Sequence, residues 1–195
     1  DKEGDGRMKA ETRFRTLRDI PSEEYLTPGT ALCAGCGALL TLRLFHKALG
    51  GNVVWVNAAG CMTLLIVYPF TPLKSSWMYT AMACAPAGAQ GIRDALNVLI
   101  EKGKLPPEED LKVAVVTGDG AAYDIGLQST SGAIHRDLDF YYLCYDNEAF
   151  WNTGFQFSSA TPYGSKTATS PPTPLRPEGH RGRKKDLFEI WRAHK

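Results

Sequence analysis

The stretch LKVAVVT at residues 111–117 is apolar on both of its alternating faces, as a strand buried in the middle of a parallel sheet has to be. A strand covered on both sides needs helices on both sides, and the neighbouring sequence supplies them. Residues 38–49 (ALLTLRLFHKAL) repeat apolar positions at helical spacing and stop at Gly50-Gly51, and NVVWVN at 52–57 is a short β-branched run. AGAQGIRDALNVLIEKG at 87–103 places Ala89, Ile92, Ala95, Leu96 and Leu99 on one face, with Gly88 and Gly91 leaving room for a close neighbour. Beyond the central strand, a helix is expected over 124–135, a strand over LDFYYLCY at 138–145, a long excursion or lid over 167–183, and a final helix in KDLFEIWRAHK. This alternation predicts an α/β fold with a doubly wound, mostly parallel sheet, whose ligands sit beyond the carboxyl ends of the strands, just after Val56, Val116 and Tyr145. The organisation read from it is an N-terminal extension over 1–25 and one domain over 26–195, without internal repeats.

Charge narrows the function classes. Twenty-two basic and 21 acidic residues give a net charge of +1, so there is no general electrostatic case for nucleic acid or an anionic membrane. The one basic run, His180–Lys185, follows a proline-rich stretch and is expected to be a solvated loop. No apolar run approaches the ~20 residues of a membrane span, and the polar N-terminus lacks the apolar core of a signal peptide. The expected location is therefore cytoplasmic, a reducing compartment in which five cysteines point to metal or catalytic use before disulfides.

Two of the three strand ends carry oxygen ligands. Thr117-Gly118-Asp119-Gly120-Ala121-Ala122 offers flexible backbone that lets an anionic ligand approach, and a carboxylate suited to magnesium. DNEAFWNTG, beginning at Asp146, adds the amide oxygens of Asn147 and Asn152 one helix and one strand later, so the two ends can converge on one ion. A Gly-Asp-Gly followed after about thirty residues by Asn resembles the thiamin-diphosphate signature. The string GDGAAYDIGLQSTSGAIHRDLDFYYLCYDNEAFWNTGFQFSSATPYG is similar to the beta subunit of the 2-oxoacid:ferredoxin oxidoreductases, the pyruvate synthase group, a likeness that runs over roughly residues 20–195. The resemblance implies the thiamin-diphosphate-binding fold, with magnesium held by the carboxylate of Asp119, the side-chain oxygen of Asn147 and the backbone carbonyl of Ala149. It implies that Asn152 lies near the thiazolium ring as a catalytic residue, and that Gly60, Cys61, Gly118, Gly120 and Ala121 also bind the cofactor. The activity implied is oxidative decarboxylation of a 2-oxo acid to an acyl-coenzyme A, or its reverse, with electrons passed to ferredoxin.

Cys33 and Cys36 form a Cys-x-x-Cys ahead of the first helix, and Cys61 follows the first strand, so all three can meet at one end of the sheet. No strand precedes the motif, which argues against a thioredoxin-type disulfide. A 4Fe-4S cluster and a zinc site both remain open, each usually needing four ligands. The resemblance favours the cluster, with its fourth ligand in a segment beyond Lys195, so that the domain is expected to be truncated at its C-terminus. Cys84 and Cys144 are expected to be structural. Thiazolium activation requires a glutamate against the aminopyrimidine ring. Glu148 sits in the magnesium turn and is not given that role, so a partner subunit of the alpha, gamma or delta type is expected to supply it. The competing readings are a thiamin-diphosphate decarboxylase or synthase without electron transfer, and a non-catalytic, metal-stabilised assembly subunit.

Other residues have plainer expectations. His46 should be exposed or half-buried, His135 should cap a helix end, and Trp55 and Trp77 should be core or interface aromatics. Trp151, Phe155 and Phe157 crowd the turn around Asn152 where the resembled family carries Met, Ile and Arg, which suggests either a 2-oxo acid bulkier and less polar than pyruvate, such as an aryl or branched one, or repacking of these side chains against a subunit, the first being favoured.

Overall fold

A computed structural model describes residues 16–67, 71–106, 111–137 and 139–194. The first 15 residues of the expected extension, Leu138 of the last strand and Lys195 of the final helix lie outside the described residues. Four strands, β1 (Val53–Ala58), β2 (Ser76–Thr80), β3 (Lys112–Gly118) and β4 (Tyr141–Tyr145), pair in parallel in the order β2-β1-β3-β4. The fold is the expected doubly wound α/β sheet. Strand β2 was not anticipated: its exposed and half-buried positions on the sheet edge carry too little hydrophobic alternation to mark it.

Helix α1 (Gly37–Leu49) covers one face of the sheet, where Leu42, Trp55, Met62, Leu65, Ala114 and Val116 are fully buried. Helix α2 (Ala85–Glu101) covers the other, packing Ala85 and Ala89 on Val56, Val113 and Val115. Helix α3 (Leu127–His135) lies beside α2, and the short α4 (Leu187–Arg192) docks Leu187 against Ala122, Tyr123 and Ala160. The helix expected from 124 starts earlier, as a π-helical turn over Gly120–Ile125, so the chain leaves β3 in a wide coil before tightening into α3.

Strands β1 and β3 are neighbours whose onward connections run to opposite edges, β1 to β2 and β3 to β4. Their carboxyl ends are therefore the topological switch point, where the backbone parts and leaves a crevice. No helix among the described residues is long and apolar enough to cross a membrane.

His46 departs from its expectation. It is 1% exposed, stacked on Tyr25 and edge-on to Trp55, with Ser75 Oγ 3.1 Å from its Nε2. Helical periodicity placed it beside Arg43 and Lys47, but Glu24 pairs with both cations and turns that part of α1 inward. The two cations hold the Glu24 carboxyl down at about 2, while burial lowers His46 to about 4.

Candidate functional site

A cavity of about 280 Å³ opens at the switch point. Its walls are the chain leaving β1 (Ala59, Gly60, Cys61), the chain leaving β3 (Gly118 to Ala121) and the turn after β4 (Asn147 and Ala149 to Thr153). The cofactor-site residues expected from the sequence, Gly60, Cys61, Gly118, Asp119, Gly120, Ala121, Asn147, Ala149 and Asn152, all lie on this cavity.

Asp119 is 1% exposed, and burial pushes its carboxyl above the usual range although Ser158 Oγ donates to Oδ2. Its Oδ1 faces the Asn147 amide. One amide atom stands 2.7 Å from Asp119 Oδ1 and 3.1 Å from the Ala149 carbonyl oxygen. With nitrogen turned inward the amide donates to both. With oxygen turned inward three acceptors meet, an arrangement that a bound cation would stabilise. Ligands ~2.1 Å from an octahedral magnesium lie ~2.9 Å from their neighbours, and the observed separations bracket that spacing. In the oxygen-inward orientation the amide nitrogen reaches Cys61 Sγ at 3.9 Å. The donor set and its spacing fit a magnesium ion.

The turn owes its shape to polar contacts at its back. Glu148 has φ 67°, a left-handed conformation that non-glycine residues adopt only when held there. Asp146 Oδ1 accepts the Glu148 N–H at 3.1 Å, Tyr123 Oη donates to Asp146 Oδ2 at 2.9 Å, and Thr161 Oγ1 donates to the Glu148 carbonyl. Ser158 and Thr161 were not singled out in the sequence, because they are small hydroxyl residues in a loop after the turn and bear no motif of their own. A Cβ on Gly120 would strike the Phe150 ring, and one on Gly118 would stand 3.2 Å from the Tyr145 ring. These glycines admit aromatic rings that seal the loop, where the sequence suggested room for ligand backbone contacts.

The aromatic residues separate. Trp151 stacks on Phe155 at 3.9 Å and its Nε1 donates to the Asn147 carbonyl at 2.7 Å, while Phe157 leans away onto His180. The basic run His180–Lys185 is an exposed loop over 181–185, as expected, but its first residue and two of its lysines are engaged. His180 is buried, Lys184 pairs with Asp146 at 2.6 Å, and Lys185 donates to the Tyr123 carbonyl at 2.7 Å and lies 3.0 Å from Asp124 Oδ1. Acidic partners from the β3 and β4 loops pair with these lysines at the surface, which local composition does not disclose.

The cysteines stand at the same end of the sheet. Cys36 caps α1 and its N–H donates to the Cys33 carbonyl at 3.1 Å; Cys36 and Cys61 both pack against the core under α1. Burial raises the Cys61 thiol; the Asn147 contact works against that rise, and Cys36 and Cys33, which lie within electrostatic reach, add to it. All five cysteines are free, Cys33 and Cys84 exposed and the others half-buried. Among the described residues no three His, Cys, Asp or Glu side chains draw together as a metal-binding group. The thiols supply the right chemistry for a cluster without standing as a converged ligand set. Burial pushes Cys144 up to about 12, consistent with a structural thiol. Asn57, fully buried at the end of β1, has neither amide atom paired.

Known proteins are similar to this chain. Pyruvate synthase subunit PorB of Methanothermobacter thermautotrophicus is 46% identical over 153 residues, covering 78% of this chain and 51% of that relative. Ketoisovalerate oxidoreductase subunit VorB of Pyrococcus furiosus is 39% identical over 189 residues, covering 96% and 60%. The chain thus spans about half to three fifths of the length of these curated relatives. A solved structure of 2-oxoglutarate:ferredoxin oxidoreductase from Magnetococcus marinus, with 2-oxoglutarate, coenzyme A and succinyl-CoA bound, superposes with a TM-score of 0.66 at 20% identity, covering 87% of this chain and 53% of that one, a likeness of fold. The family described as thiamine pyrophosphate enzyme, C-terminal TPP binding domain, matches residues 58–194, from the last residue of β1 through the switch-point loops to the end of α4, and the chain belongs to it.

Proposed function

We propose that this chain holds the diphosphate end of thiamin diphosphate, through magnesium, in the catalytic subunit of a 2-oxoacid:ferredoxin oxidoreductase. The carrying observation is the convergence of the Asp119 carboxylate, the Asn147 side-chain amide and the Ala149 carbonyl within 3.1 Å at the switch point, where turning the amide oxygen inward would give three oxygen ligands. Thiamin diphosphate, when bound, supplies the electron sink that decarboxylation of a 2-oxo acid needs and no side chain provides. The residues of this chain bind, orient and enclose. Asp119, Asn147 and Ala149 ligate the ion, and Ser158 occupies the outer oxygen of Asp119 so that one oxygen faces inward. The Phe150 and Tyr145 rings close the loop against water, and Asn152 lies on the wall where the thiazolium would rest, beside Gly60, Cys61, Gly118, Gly120 and Ala121.

Glu148 is half-exposed with Lys184 3.8 Å away, so the glutamate that activates the aminopyrimidine ring is assigned to an alpha-, gamma- or delta-type partner subunit. The subunit names of the relatives support such an assembly, and their activities support a 2-oxo acid substrate, coenzyme A as acyl acceptor and ferredoxin as electron acceptor. Cys33, Cys36 and Cys61 are proposed as ligands of a 4Fe-4S cluster, supported by their common corner beside the pocket. The Trp151–Phe155 stack at the pocket mouth supports a substrate bulkier than pyruvate.

Replacing Asp119 with Asn in the purified complex is expected to remove most bound thiamin diphosphate, because the ion loses its only carboxylate ligand, while iron content and assembly persist. Undiminished thiamin diphosphate content in that variant would overturn the assignment.

A further inference from the structure

Lys184 reaches Asp146 from a loop 38 positions along the chain. Its Nζ lies 2.6 Å from Asp146 Oδ2, the oxygen that also accepts Tyr123 Oη, and 6.0 Å from the centre of the Tyr123 ring. The other oxygen of Asp146 holds the Glu148 N–H. The carboxylate therefore ties three elements together: the π-turn after β3 through Tyr123, the turn after β4 through Glu148, and the segment entering α4 through Lys184. The neighbouring residues fix that segment independently. Lys185 is bound to Tyr123 O and Asp124, and its N–H donates to the Ser159 carbonyl at 2.9 Å; Asp186 caps α4 through the Glu189 N–H at 3.0 Å. Lys184 is thus delivered to Asp146 by a backbone that does not depend on it.

Asp146 precedes Asn147 and bonds the residue that separates Asn147 from Ala149. Rotation of its carboxylate would release Glu148 from its left-handed conformation and swing both cation oxygens away from Asp119. The Lys184–Asp146 pair is partly exposed, at 40% and 25%, and partly exposed pairs contribute little to stability. Groups that orient metal ligands matter more for the metal, typically about 10–100-fold in affinity.

We propose that Lys184 is a positioning residue for the cation site, holding Asp146 so that Asn147 and Ala149 present their oxygens to Asp119. The inference rests on the proposed magnesium site. The test measures thiamin diphosphate retained by the cofactor-stripped complex in equilibrium dialysis across a magnesium titration. Lys184→Met is expected to raise the magnesium needed for half-saturation roughly tenfold or more, with the denaturation midpoint little changed. Lys184→Arg, which keeps a donor on Asp146, should restore most of the affinity. Arg181→Met removes the same charge from a residue paired with Glu178, and should leave the titration where it is. A Lys184→Met complex with the wild-type magnesium requirement overturns the proposal, as do equal shifts in the Lys184→Met and Arg181→Met variants, which would make the effect one of net charge. Wild-type complex that takes up thiamin diphosphate without magnesium would instead overturn the cation site, and this inference with it.

Discussion

At the cation corner of the pocket the polar groups have partners within the chain: Asp119 has Ser158, Asp146 has Tyr123 and Lys184, and Glu148 has Asp146 and Thr161. At the cysteine corner, a few ångströms away through the Asn147–Cys61 contact, Cys33 is exposed, Cys36 caps a helix without a side-chain bond, and the three thiols do not form a ligand set. The difference lies in what holds each turn. The turn of the proposed cation site is braced from behind by two further loops, so its backbone is fixed by contacts within the chain. The cysteine turn is fixed mainly through α1 and the core beneath it, which positions backbone but leaves thiol direction to the metal. Preorganisation of this kind concentrates affinity in the first site and makes the second depend on what it binds.

Replacing one ligand at each corner breaks the comparison most directly. Asp119→Asn should lose nearly all thiamin diphosphate and retain iron. Cys36→Ser should lose iron and ferredoxin reduction while retaining thiamin diphosphate, because the diphosphate is held by other strand ends. Parallel iron, acid-labile sulfide and thiamin assays on anaerobically purified complexes measure both. Loss of both groups in either variant would show that the corners are one cooperative unit, and zinc in place of iron in a colourless wild type would remove electron transfer from the assignment.

Acidification should act through His46, in the last turn of α1 and away from both corners. Its folded value is about 4 against an ordinary 6.5, so the unfolded chain takes up a proton first. The stabilisation is complete above about pH 6.5 and is lost as pH falls towards 4, by at most about 3 kcal/mol. Chemical denaturation at both ends of that range should show the decline in the wild type and its reduction in His46→Gln. An identical decline in the variant would assign the pH dependence elsewhere.

Alanine at one glycine of each corner gives the smallest expected effects and tests their different supports. Gly120→Ala drives a methyl into the Phe150 ring and should cost about 1–3 kcal/mol, with weaker cofactor binding. Gly35, between the cysteines, has φ 71° and open space around it; Gly35→Ala should cost only the backbone penalty, about 1 kcal/mol. Equal costs, measured by denaturant midpoint, would mean that the cation loop repacks more freely than its closed contacts indicate.

What the sequence determined by itself was whatever nearest neighbours along the chain control. The runs at 38–49, 52–57, 87–103 and 111–117 carry their periodicity within a dozen residues, and α1, β1, α2 and β3 lie where that periodicity put them. The Gly-Asp-Gly and Asp-Asn turns declared their chemistry in a few adjacent residues. Tertiary structure decided what depends on residues far apart meeting. Strand β2 is defined by pairing with β1 and not by its own pattern. His46 is buried against Tyr25 and Trp55 while Glu24 pairs with its cationic neighbours, and Lys184 meets Asp146 from a loop 38 positions along the chain. A charged side chain's place depends on the field of groups brought near by folding, and burial and pairing energies of that origin have no local signature. Three of the four strands and the candidate ligand residues were therefore legible in the chain, while the contacts that brace those residues exist only once the sheet has closed its loops around the switch point.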